Sequence, residues 1–171
     1  MSSQTAVSIF MGSKSDLPVV QAAADTLAEF DISFNMYILS AHRTPEEVVR
    51  TIKESEQNGV KVFIAAAGMA AHLAGAIAAQ TTKPVLGIPL AGGDLDGMDA
   101  LLAIAQMPPG IPVATVAING SLNAAILATQ MMGTNNEEIY NKTVAYKKEL
   151  KNKIVKANQE LAEKKFKFRV N

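Results

Sequence analysis

Two histidines stand in the 171 residues, and each sits in a short joint that follows an apolar run. His42 lies in SAHRTP at 40–45, and His72 in GMAAH at 68–72. Imidazole is the side chain that most readily gives and takes a proton near neutral pH, so either ring is a candidate acid/base. Arg43 follows His42 directly. Its planar fork of donors suits a phosphate, and Ser40 adds a hydroxyl beside it. GSKSD at 12–16 has a similar character. Gly12 permits a sharp turn, Ser13 and Ser15 offer hydroxyls, and Lys14 brings a cation. Asp16 carries a carboxylate that can cap a helix or accept a ribose hydroxyl. Each segment also has an ordinary structural reading: a solvated turn for SAHRTP, a capped strand-to-helix turn for GSKSD, and a packed core histidine for His72.

Other chemistries lose support on the same residues. GSKSD matches neither GxxxxGK[ST] nor GxGxxG, which argues against a nucleotide-triphosphate loop and a dinucleotide fingerprint. The chain has no cysteine, which removes disulfides, thiolate nucleophiles and zinc–thiolate sites together. With two histidines and no cysteine, no transition-metal site is expected. AGGDLDG at 91–97 is too short and wrongly spaced for a calcium loop, and reads instead as a lid or a wall of a site.

These joints need a scaffold that brings them together. Strand-like runs fall at 6–11, 34–39, 61–66, 85–88 and 113–117, with helical patterns at 17–29, 45–57, 70–80, 97–106 and 121–132 between them. Strands apolar on both faces, alternating with helices, predict a parallel sheet covered on both sides. The fold class is α/β, a three-layer α/β/α sandwich with five parallel strands in the flavodoxin-like order 2-1-3-4-5. In such a sheet ligands bind beyond the carboxyl ends of the strands, where both histidines, Lys14 and Arg43 fall. Thr44, Pro45 and Glu47 read as a capping box for the second helix, and Asp16 as the cap of the first.

Residues 1–133 are expected to form the catalytic domain and 134–171 a helical extension packing on the body or on another subunit. The charge divides at the same place. The first 133 residues carry six Lys/Arg against eleven Asp/Glu, and the last 38 carry ten against five. In the tail Lys and Glu interleave at helical spacing, as a solvated helix face does, so no nucleic-acid partner is expected. Ile139, Val144, Leu150, Ile154 and Leu161 are its predicted buried stripe. No apolar run has the length of a membrane span and the start lacks a basic-then-apolar signal, so a cytoplasmic location is expected.

GSKSD, SAHRTP, AAHLAG at 70–75, QMPPGIPVATVAI at 106–118 and NAAILA at 123–128 together resemble the N5-carboxyaminoimidazole ribonucleotide mutase family of purine biosynthesis. The likeness runs over about residues 6–133 in matching order. It implies a mutase that converts a carbamate nucleotide to its C4-carboxylated isomer through trapped CO2. It further implies a homo-octamer with sites bordered by neighbouring subunits, no cofactor, and a functional link to the ATP-dependent carboxylase that makes the substrate. Carried over, the acid/base falls on His42, and substrate contacts on Ser13, Asp16, Ser40 and Arg43. Gly68, Ala70, Ala71 and His72 match a wall of the site. Direct carboxylation of aminoimidazole ribonucleotide by free CO2 is the runner-up activity. The chain departs from the family pattern at Met69, where glycine is frequent, at Ala74, where proline is, and at Leu17, where tryptophan is common.

Overall fold

The structure, a computed structural model, describes residues 5–168. Its strands are β1 (Val7–Met11), β2 (Phe34–Ile38), β3 (Val62–Gly68), β4 (Val85–Leu90) and β5 (Ala114–Thr115). The helices are α1 (Leu17–Glu29), α2 (Pro45–Gln57), α3 (Leu73–Ala78), α4 (Met98–Ala105), α5 (Ser121–Gly133) and α6 (Glu137–Glu163). A short 3-10 turn, Lys14–Asp16, leads into α1. All strand pairs are parallel and the order is β2-β1-β3-β4-β5, as expected from the alternation.

The period-two alternation of side chains sorts the strands into two cores. Val7, Ile9, Met11, Val62, Ile64, Ala66, Leu86 and Ile88 point to one face and pack on α1 and α5 through Val20, Ala23, Leu27, Ala124, Ala125 and Ala128. Phe10, Phe63, Ala65 and Ala67 point to the other and meet α2, α3 and α4 through Val48, Ile52, Leu73, Ile77, Ala100 and Ile104. Small side chains set the spacing on that side. A Cβ on Gly87 would stand 2.3 Å from Ile104 Cγ2, so only glycine lets α4 lie this close to β4. Ser8 also faces α2 and, fully buried, donates to Ser55 Oγ at 3.0 Å.

Strand β5 is shorter than the predicted 113–117. Val116 N–H still donates to Gly87 O at 3.0 Å. A parallel ladder would next require an N–H from residue 89 to the carbonyl of Val116, and Pro89 has none. Helix α3 is also shorter than predicted, because residues 69–72 wind into two tight turns before it. Ala71 N–H donates to Met69 O at 2.8 Å and His72 N–H to Ala70 O at 2.9 Å.

Helix α6 corrects the expected stripe. Its buried face is Ile139, Thr143 and Tyr146, three and four residues apart, with Tyr146 against Phe30 at 5.5 Å between ring centroids. Val144, Leu150, Ile154 and Leu161 are exposed. Val144 lies off that face, beside the groove between α5 and α6, and the residues further along are exposed because 27 residues make a helix of about 40 Å, roughly twice the length of α5 beneath it. Lys142 ties the rooted end down by donating to Asp31 at 3.1 Å and Glu138 at 2.9 Å. The last three residues of the tail lie outside the described residues.

Candidate active site

Because every strand runs the same way, all the turns after them open on one rim, and the order change places the end of β1 between those of β2 and β3. A cleft of about 580 Å³ lies there. Ser13 and Asp16 enter from the turn after β1, Ser40, His42 and Arg43 from that after β2, and Gly68, Ala70 and His72 from that after β3.

The turn after β1 is closed on itself. Asp16 folds back and accepts the Ser13 N–H at 2.9 Å, while Ser13 Oγ accepts from Ser15 N–H at 3.3 Å, a capping box around the 3-10 turn. Asp16 therefore does not cap α1 with its side chain, as the sequence suggested; the extra 3-10 turn moves the first unpaired N–H groups forward, and the carboxylate follows them. The turn after β2 behaves alike. Thr44 precedes α2 without a side-chain cap, because its hydroxyl accepts from Ser40 N–H at 2.9 Å and donates to Ser40 O at 3.0 Å. That pair of bonds ties the turn that presents His42 and Arg43. Arg43 reaches across to β1, donating from Nη2 to Gly12 O at 3.1 Å. The guanidinium thus bridges two turns while staying exposed for an anion.

The two imidazoles meet. His42 Nε2 and His72 Nδ1 are 2.7 Å apart, with the rings edge to face at 79° and their centroids 4.8 Å apart. A nitrogen–nitrogen bridge of this length holds one proton, donated by whichever ring carries it. It leaves Nδ1 of His42 and Nε2 of His72 for a ligand. Both rings are exposed, so His72 is no packed core histidine.

Other positions fall differently. Ala71 is 1% exposed, and its methyl packs in the α2–α4 core rather than lining the cleft. Lys14 is on the rim but outside the cleft lining. Of the 91–97 loop, Ala91, Gly92 and Gly93 form a wall, whereas Asp94, Leu95 and Asp96 are not among the lining residues. Asn119, from the joint after β5, holds that wall by accepting Ala91 N–H on its side-chain oxygen at 2.9 Å. Met69, in the turn expected to form a wall of the site, is among the lining residues, whereas sequence reasoning missed the contact between the imidazoles. A larger groove of about 820 Å³ lies between α5 and α6 and contains neither histidine.

Fold and cleft together define a flavodoxin-like α/β protein with a cleft at the strand-order switch, lined by an imidazole pair and a guanidinium. The sequence profile described as AIR carboxylase matches residues 6–153, and the chain belongs to that family. It is 48% identical over 157 residues to the N5-carboxyaminoimidazole ribonucleotide mutase of Pyrococcus horikoshii, covering 92% of this chain and 89% of that one. The mutase of Thermotoga maritima is 47% identical, with 91% of each chain covered. The phosphoribosylaminoimidazole carboxylase of Candida glabrata is 52% identical over 136 residues, 80% of this chain and 24% of that longer one. The crystal structure of Treponema denticola PurE superposes with a TM-score of 0.84 at 31% identity, over 91% of this chain and 97% of that one.

Proposed function

We propose that this chain is an N5-carboxyaminoimidazole ribonucleotide mutase in purine biosynthesis. The observation that carries the reading is the His42–His72 pair at 2.7 Å, beside a guanidinium that crosses from the β2 turn to the β1 turn. Relatives carrying that activity by name match it over nine-tenths of the chain.

The residues supply what the conversion needs. The substrate's carbamate C–N bond breaks, its nitrogen keeping the electron pair and taking a proton from His42. The CO2 so released stays beside the ring, and C4 attacks it. His42 then removes the C4 proton, which restores the starting protonation state. One imidazole serves both steps, and its partner His72 can hold the bridging proton while Nδ1 of His42 faces the ring. Arg43 and Ser40 hold the phosphate, and Asp16 and Ser13 the ribose side. Binding energy from these remote groups fixes the ring against the imidazole.

The deciding experiment supplies the purified protein with the carbamate nucleotide, without added bicarbonate, and follows the C4-carboxylated product by absorbance. Conversion at an enzymatic rate is expected. Turnover of aminoimidazole ribonucleotide only when bicarbonate is added would instead select direct carboxylation, the reading favoured by the Candida relative's name. The chain is also read as a self-associating subunit, an octamer. In support, α6 leaves Leu150, Ile154 and Leu161 exposed on a helix that extends past α5. Light scattering that returns a monomer at micromolar concentration would remove this part.

A further inference from the structure

Strand β2 lies at the edge of the sheet and has β1 as its one neighbour. Past Leu39, whose N–H still donates to Met11 O at 2.9 Å, the chain leaves β1 and closes on itself. Ser40 O accepts from Thr44 N–H at 2.8 Å and from Thr44 Oγ1 at 3.0 Å, while Ser40 N–H donates to that same hydroxyl at 2.9 Å. Arg43 N–H adds a longer bond to Ser40 Oγ, at 3.3 Å. His42 and Arg43 stand inside this ring. Both are exposed and belong to neither core, so packing does not hold them. The ring aims them at different partners, His42 at His72 Nδ1, 2.7 Å away, and Arg43 at Gly12 O, 3.1 Å away. Thr44 also begins α2, where a hydroxyl ordinarily accepts an N–H of the first turn, yet it makes no such cap. A residue that leaves its helix uncapped to close a turn breaks a local rule, as residues at functional sites do.

We propose that Thr44 is a positioning residue for the carboxyl transfer: its hydroxyl, bonded both ways to the Ser40 backbone, fixes His42 against His72 and Arg43 against Gly12 at once. The proposal rests on the mutase reading. Of the three bonds that join Thr44 to the Ser40 backbone, the hydroxyl makes two. A hydroxyl donates and accepts together, so serine can replace it in both bonds. Valine has the shape of threonine and can do neither, which leaves the Ser40 N–H without its partner. The turn then relaxes, and because His42 and Arg43 are consecutive, both shift. A displaced imidazole no longer meets the ring in line, which lowers kcat. A displaced guanidinium no longer meets the phosphate, which raises KM. The two parameters therefore move together when one hydroxyl that touches no substrate is removed.

The test compares wild type, Thr44→Val and Thr44→Ser on the carbamate nucleotide, with kcat and KM measured separately and folding checked by thermal unfolding. Thr44→Val is expected to fold, to lose about 10- to 100-fold in kcat and to show a severalfold higher KM. Thr44→Ser is expected to stay within a few-fold of wild type in both. A misfolded fraction would lower kcat and leave KM where it was, so the rise in KM is the readout that a merely structural role does not move. In an Arg43→Ala background, Thr44→Val should still lower kcat and should raise KM little further, because the anchor that it displaces is already gone. A folded Thr44→Val with wild-type kcat and KM overturns the proposal. So does a fall in kcat at unchanged KM, a loss in Thr44→Ser equal to that in Thr44→Val, or a Thr44→Val chain that does not fold, which would make the hydroxyl a prop of the fold and not of the site. A wild type inert toward the nucleotide overturns the mutase reading itself, and is told apart by the wild-type arm alone.

Discussion

The sharpest prediction concerns the division of labour between the two imidazoles. If His42 moves the proton and His72 acts only through it, their replacements differ by an amount the geometry sets. His42→Asn keeps a polar side chain of similar reach and removes the titrating ring. Loss of a positioned acid/base costs about 100- to 10,000-fold in kcat. His72→Asn removes one partner of a single 2.7 Å bond between exposed rings. A bond of that kind contributes about 0.5–1.5 kcal/mol, or about two- to tenfold in rate. The double variant is then no slower than His42→Asn alone, because His72 has nothing left to orient. Steady-state rates on the carbamate nucleotide measure all three variants, and calorimetry with the product nucleotide checks that binding to His42→Asn largely survives. Losses that multiply in the double variant would refute the reasoning. So would a His72→Asn enzyme as slow as His42→Asn, or near-normal turnover by His42→Asn.

Arg43→Ala mainly raises KM for the nucleotide, because it removes an anion anchor and the bond to Gly12 while leaving the imidazole pair; initial rates against substrate concentration read the split. Ser55→Ala destabilises the protein by about 1–3 kcal/mol, since it strands the buried Ser8 hydroxyl, and the Ser8→Ala/Ser55→Ala double variant recovers most of that in urea unfolding. The side-chain bonds of Lys142 to Glu138 and then Asp31 hold its ammonium above the ordinary lysine value of 10.5. Its contribution to stability is thus fully present below 10.5 and is lost as pH rises through the higher folded value. The unfolding midpoints of wild type and Lys142→Met should accordingly differ at neutral pH and converge in strong alkali.

The alternation of strands and helices was legible because each apolar run is bounded by its own turn residues. The rim location of the histidines followed from it. What escaped reading depends on partners far away in the chain. Strand β5 ends early because of Pro89 on its neighbour, invisible from Val113–Ala117 alone. The tail's apolar residues could be counted, but which of them face α5 depends on where that shorter helix stops. The sequence reads Asp16 and Thr44 as caps of α1 and α2, but neither side chain caps its helix: each closes its own turn, a choice between local partners that residue type does not decide. His42 and His72 lie 30 positions apart, and only the register of β1 against both β2 and β3 brings their turns together. Met69 stands out in the sequence as a departure from the family pattern, but its left-handed backbone needed coordinates.

Neither core uses His42 or Arg43. A chain that lost either would still bury the same apolar side chains. Abundance and solubility are therefore blind to changes at these two positions, and a screen of variants by yield would keep them.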